Sequence, residues 1–211
     1  MSTISIIGLG HMATALAGRA LAGGNAVEII GRDAGKAHDL ANTLGGATVG
    51  TIGETPAGDI VVLAVPYASA TAAVGSFGET LNDKVLVDIT NPFAPDLTGL
   101  VTPEGSSGAQ QVAAAAPAGT RIVKAFNTLF AEVLGSQPDE SNRLNVFLAG
   151  DDASAKAAVS TFAESMGLHP LDAGPLAMAH ALEYAGLLEI SLKTHGLEQT
   201  DFALGITVLR G

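Results

Sequence analysis

The stretch Ser5-Ile6-Ile7-Gly8-Leu9-Gly10-His11-Met12-Ala13 decides how the rest of the chain is read. A short apolar run leads into a glycine loop, and the loop opens an Ala-rich helical pattern. Strand, tight turn and helix start, in that order, cradle a dinucleotide pyrophosphate, because the N-terminal amides of the helix point at phosphate oxygens. Gly8 allows the turn, and Gly10 lets the backbone approach the phosphates. Ala13 is small enough for close helix–strand packing, and the amides of Leu9, Gly10, His11 and Met12 are the expected donors. The next strand, Ala26-Val27-Glu28-Ile29-Ile30, ends in Gly31-Arg32. NAD-binding folds carry an acid at this distance for the ribose 2′-hydroxyl. A carboxylate would repel a 2′-phosphate, whereas a guanidinium pairs with it through two donors. The expected cofactor is therefore NADP(H). Lys36, one turn into the following helix, is a second cation within reach. Asp33 is expected to cap that helix, and Glu28 lies too early in its strand to meet the ribose and reads as a surface position.

Short apolar runs alternate with helical patterns along the whole chain, which is the mark of a parallel sheet with crossover helices. Strands are predicted over 3–7, 26–30, 47–49, 59–66, 84–92, 121–126, 145–150 and 169–173. Helices are predicted over 12–21, 34–44, 109–116 and 175–195, with a further one capped by Asp152 or Ser154 and ending near Met166. Residues 93–108 read as a long polar loop, and 206–209 as an added strand or a packing arm. The predicted fold class is α/β: a Rossmann-type doubly wound parallel sheet with a small C-terminal helical element. The expected division is a dinucleotide-binding domain over 1–172 and a helical, dimerising element over 173–211.

Composition narrows the function. The chain has 211 residues and a formal charge of −11, which argues against nucleic acid and against anionic membranes as partners. An anionic cofactor must then be held by local groups, since the field of the whole chain opposes it. There is no Cys, so thiolate chemistry and disulfides are excluded. The N-terminus lacks the basic start of a signal peptide, and the apolar stretch 60–77 is interrupted by Pro66, Tyr67, Ser69 and Thr71. No membrane span and a cytoplasmic location are expected. The five histidines show no metal-ligand spacing, and no Ser-His-Asp order or carboxylate pair stands out. No catalytic side chain and no metal ligand are therefore assigned.

Three strand ends, Ala64-Val65-Pro66, Asn91-Pro92 and Phe126-Asn127-Thr128, should converge on the nicotinamide side, because open α/β sheets bind ligands beyond the carboxyl ends of their strands. Small residues and a proline fit beneath a flat ring, and Asn91 or Asn127 is placed to hydrogen-bond the carboxamide. Together with Ala125 these complete the expected cofactor-binding set.

With those residues in view, the chain resembles the NADPH-dependent reductases of coenzyme F420, a deazaflavin. The wider group with this nucleotide-binding domain includes the NADPH-binding part of transmembrane ferric reductases. The resemblance rests on Ile6-Ile7-Gly8-Leu9-Gly10, Gly31-Arg32-Asp33 with Lys36 and Ala37, and Val62-Leu63-Ala64-Val65-Pro66. It continues through Val87-Asp88-Ile89-Thr90-Asn91-Pro92, Val123-Lys124-Ala125-Phe126-Asn127-Thr128 and Asp172-Ala173-Gly174-Pro175-Leu176, and closes with Leu182-Glu183 and Gly205-Ile206. It implies a homodimeric oxidoreductase that passes a hydride between NADPH and a small redox acceptor, coenzyme F420 or else a flavin, a quinone or a small carbonyl or imine compound. A module that senses NADP(H) without turnover is the reading from a different class. Leu9 and His11 are bulkier than the resemblance leads one to expect, Gly31 replaces a hydroxyl residue, and His180 stands where relatives carry Arg.

Overall fold

β1 (Thr3–Ile7) and β2 (Ala26–Ile30) pair in parallel along their whole length, Thr3 with Ala26 through Ile7 with Ile30. They belong to a computed structural model that describes residues 2–136, 143–197 and 202–209. β3 (Thr48–Gly50), β4 (Ile60–Leu63), β5 (Val85–Asp88), β6 (Arg121–Lys124), β7 (Asn145–Ala149) and β8 (His169–Gly174) complete one eight-stranded sheet. Its order is β3-β2-β1-β4-β5-β6-β7-β8. The first six strands are parallel. Strand order reverses between β1 and β4, and that switch opens a crevice at the carboxyl ends of the strands.

The two sheet faces follow from the two-residue period of a strand. On one face Ile6, Val62, Val87 and Val123 pack with Leu16 of α1 (His11–Ala22) and Phe162 of α6 (Ala153–Ser165). On the other, Ile7, Leu63 and Leu86 pack with Val74 of α3 (Tyr67–Phe77) and Val112 of α4 (Gly108–Ala115). Both faces are covered, so the central strands read as unbroken apolar runs rather than as alternating ones. Each such aliphatic side chain contributes roughly 1.5–3 kcal/mol through burial.

α2 (Ala34–Leu44) occupies the predicted residues, with the Asp33 side chain accepting the Lys36 N–H at 3.1 Å as its cap and Gly45 in the left-handed region at its end. Asp152 caps α6 through the Ala155 N–H. The structure differs from the sequence reading in several places, and the strand predicted over 121–126 ends at Lys124. The strands predicted to Pro66 and Pro92 end at Leu63 and Asp88, because the chain beyond them leaves the ladder to form the crevice wall. Helix α3 follows at once from Pro66, whose fixed φ of −57° sets the entry. β7 runs antiparallel to β6, joined by the pair Lys124 and Ala149. Among its described residues the link between them carries only the one-turn α5 (Ala131–Leu134), and a parallel return needs a longer crossover. Residues 206–209 form no strand.

The last long helix is α7 (Ala179–His195), preceded by a 3₁₀ turn over Leu176–Met178. The following segment is a packing arm: Leu204 N–H donates to Glu189 Oε1 at 3.0 Å, Ile206 N–H donates to Asn145 Oδ1 at 2.7 Å, and Phe202 meets Phe130 edge-on. Within the expected C-terminal element, 198–201 and 210–211 lie outside the described residues. Among the described residues no helix is long and apolar enough to cross a membrane.

Candidate functional site

The crevice is a cleft of about 1070 Å³ at the carboxyl end of the sheet. Gly8, Leu9, Gly10, His11 and Met12 form its middle, Gly31, Arg32 and Lys36 one end, and Ala64, Val65, Pro66 and Asn91 the other. Twelve expected residues thus meet on one surface. Ala13, Pro92, Ala125 and Asn127 do not line it. Ala13 is fully buried in the α1 packing, as its size predicts, and Ala125 is fully buried too. Pro92 is buried, with its carbonyl accepting the Val101 N–H.

Asn127 acts behind the cleft. Its Nδ2 donates to Asn91 Oδ1 at 3.0 Å and to the Leu182 carbonyl of α7 at 2.8 Å, while Asn91 Nδ2 donates to the Asn127 carbonyl. Both ends of the Asn91 amide are therefore engaged by Asn127, so the pair shapes the floor. A Cβ on Gly186 would lie 3.0 Å from Asn91 Oδ1, so α7 rests on this pair through bare backbone. Phe126, just before, holds φ at +59°, a left-handed conformation that a bulky residue avoids. Its ring is fully buried edge-on against Phe162, which fixes the conformation.

The cleft suits an anion. α2, α4 and α6 have side-chain caps from Asp33, Ser107 and Asp152. The N-termini of α1 and α3 open on the cleft, and neither has a side-chain cap. Their first amides carry the positive end of the helix dipole into the cavity. Gly8 has φ +136°, and a Cβ there would stand 2.0 Å from the Ala64 carbonyl oxygen, so only glycine fits. A Cβ on Gly10 would meet nothing within 4 Å. The space above Gly10 is room for a ligand, and these groups fit a pyrophosphate. Arg32 and Lys36 are exposed at the far end, and among the described residues the only ion pair there is Lys36 with Asp33 at 3.8 Å.

Sequence reasoning missed two parts of the site. One is α3, which contributes Tyr67, Ser69 and Ser76 to the cleft wall, together with Thr90 at the end of β5. The other is a buried ionic cluster just behind it. Lys124 Nζ donates to Asp88 Oδ2 at 2.8 Å, to Glu183 Oε1 at 3.0 Å and to the Thr90 carbonyl, and all three charged side chains are fully buried. Glu183 also accepts the Gly108 and Ala109 amides at the start of α4. The signal was a lysine inside the apolar run Ile122-Val123-Lys124-Ala125-Phe126, where a charge is buried only when paired. Glu28 is half-buried rather than on the surface, accepting from Ser5 Oγ and the Ala57 amide. Among the described residues no cluster of three His, Asp or Glu is arranged to hold a metal.

Residues 3–92 match the family model described as NADP oxidoreductase, coenzyme F420-dependent. The F420-dependent NADP reductase of Methanothermobacter thermautotrophicus is 28% identical over 207 residues, covering 91% of this chain and 89% of that protein. Metalloreductase STEAP3 of Rattus norvegicus is 32% identical over 85% of this chain, which spans about a third (35%) of that protein's length. The crystal structure of a putative F420-dependent NADP reductase from Arthrobacter superposes with a TM-score of 0.80 at 26% identity, covering 92% of this chain and 94% of that one. The fold and the cleft, with these relatives, define an NADP-dependent oxidoreductase built on a Rossmann-type sheet. Within that class the chain is similar to the coenzyme F420-dependent NADP oxidoreductases, through the family model over residues 3–92 and through the near full-length likeness to the Methanothermobacter and Arthrobacter proteins.

Proposed function

We propose that this oxidoreductase passes a hydride between NADPH and coenzyme F420, with NADPH lying along the cleft from Arg32 to Asn91. The observation that carries the reading is the cleft's polarity: two cations at one end, two uncapped helix N-termini along it, and small residues with Pro66 at the other end. Arg32 and Lys36 would hold the 2′-phosphate, and the amides at the start of α1 the pyrophosphate. Ala64, Val65, Pro66 and Asn91 would bed the nicotinamide. When bound, NADPH supplies the hydride. The chain's own task is to orient two rings at about 3–3.5 Å and to exclude water. That task fits a cleft whose ring end carries no acid–base pair among its lining residues. The near full-length likeness to the archaeal reductase supports coenzyme F420 as the acceptor. The higher identity to the metalloreductase supports an acceptor other than coenzyme F420, and the second reading is accordingly a flavin, a quinone or a small carbonyl or imine compound in that place.

The proposal includes a homodimer formed through the 173–211 element. Its support is a row of exposed apolar side chains on α7, Tyr184, Leu188 and Leu192, spaced by four residues and so on one face. The test is anaerobic mixing of protein and NADPH with coenzyme F420, a flavin, a quinone and a cyclic imine in turn, following the loss of reduced-nicotinamide absorbance. Fastest oxidation with coenzyme F420 is the expected result. Turnover with another acceptor and none with F420 transfers the assignment to the second reading.

A further inference from the structure

Leu9 and Gly31 meet at the phosphate-binding end of the cleft, where both line the surface. A Cβ built on Gly31 would stand 2.5 Å from Leu9 Cδ1, 2.6 Å from Cγ and 2.9 Å from Cδ2. Real Cβ atoms do not approach a neighbour so closely. Gly31 is not among the glycines with positive φ. Its backbone therefore accepts any residue, and only the Leu9 side chain excludes one. Leu9 is half-buried against the core, and its room to retreat is the cleft it lines. It follows Gly8, whose backbone is pressed against the Ala64 carbonyl, and its side chain packs on the α1 face of the core.

We infer that Leu9 and Gly31 are a matched pair that sets how strongly this cleft discriminates a 2′-phosphate. With Leu9 filling that volume, position 31 presents no side-chain donor, and the phosphate is left to Arg32 and Lys36 alone. Lys36 is 75% exposed and shares its charge with Asp33, itself 54% exposed. Attraction between exposed charges is weak and screened by salt. The preference for NADPH over NADH accordingly rests mainly on Arg32 and falls as ionic strength rises. Substituting the pair together converts this into a directional contact. The inference rests on the NADP(H) reading of the site.

The test compares the parent protein with Gly31→Ser, Leu9→Ala and the double variant Leu9→Ala/Gly31→Ser. Affinities for NADPH and NADH are read from nucleotide fluorescence at low and high salt, and Tm is recorded without nucleotide. Gly31→Ser alone is expected to lower Tm and to weaken both nucleotides about tenfold, because Leu9 is driven into the phosphate loop. The double variant is expected to recover Tm and to raise the NADPH-over-NADH ratio about fivefold above the parent, through one added hydroxyl bond to phosphate. The pair is refuted if Gly31→Ser alone matches the double variant in Tm and in ratio, since Leu9 then simply swings aside. It is also refuted if the double variant leaves the ratio unchanged. A parent protein that binds neither nucleotide, or binds both equally at low salt, overturns the NADP(H) reading instead, and the Tm series still decides whether the two residues are coupled.

Discussion

Gly8 and Gly10 are two positions apart and are glycine for different reasons. Gly8 is needed by the fold: its φ is +136° and the Ala64 carbonyl occupies the place of its side chain. Gly10 is not needed by the fold, because its side-chain direction is open space over the N-terminus of α1, and the proposed pyrophosphate is what would require it. The motif spacing made both readable from sequence, but the reason for Gly8 was not, since it lies at Ala64, just past the end of β4. Arg32 was legible for the same reason as Gly10: a cation at the tip of β2 serves no packing purpose there. Arg32→Ala is expected to weaken NADPH about tenfold or more while changing NADH less than twofold, measured by titration at low salt. Equal losses would remove the 2′-phosphate role. Asn91 and Asn127 were read from sequence as amides placed to hydrogen-bond the carboxamide, and nothing local reveals that each is also the other's partner.

At the scale of elements, α4 and α7 and the ends of β5 and β6 are joined by one buried cluster. Lys124 bridges Asp88 and Glu183, and the α4 N-terminus offsets the second carboxylate. Every donor on Lys124 is satisfied within the chain, so removing the lysine strands two buried carboxylates. Lys124→Met is expected to cost about 3–5 kcal/mol of unfolding free energy in urea, and adding Glu183→Gln to recover part of it. A loss below the scatter of the measurement would mean that water reaches the cluster. Helices with a clear cap and stop, such as α2, were read to the residue. Helix α3 was not, because its Ala-rich sequence has a weak amphipathic pattern and begins at a proline that was taken for the end of a strand. The reversed strand β7 was equally hidden, since direction is set by the path of the connection and strand sequences carry no sign of it.

At the scale of the whole molecule, stability has a pH dependence with a visible source. Glu189 is 2% exposed on α7. Burial pushes its carboxyl up to about 7 from an ordinary value of 4.5, and the hydrogen bond from the Leu204 amide only partly offsets this. The folded state therefore holds this proton where the unfolded chain has released it. Stability from this group is complete below pH 4.5, falls as pH rises from there to about 7, and stays low above that. Glu189→Gln keeps an acceptor for Leu204 and removes the charge. It is expected to flatten the profile between pH 5 and 7 and to add about 1–3 kcal/mol at pH 8, read as a higher Tm. An unchanged profile would show that the carboxylate is already solvated. The overall architecture was legible because alternating strands and helices with a glycine loop admit few arrangements. The tie between the C-terminal arm and α7 was not, for it runs through a backbone amide and a charge in the middle of a helix.

Tied to Lys124 through Glu183 one turn earlier, α7 meets the Asn91 end of the cleft through Gly186 and a pair of amides. Such a seat resists compression but not tilt, because hydrogen bonds lose strength with angle sooner than packed carbon loses contact with distance. Rocking this helix by a small angle would loosen Asn91 before it disturbed the sheet. Force applied along Tyr184, Leu188 and Leu192 would therefore be felt at Asn91, the proposed bed of the nicotinamide.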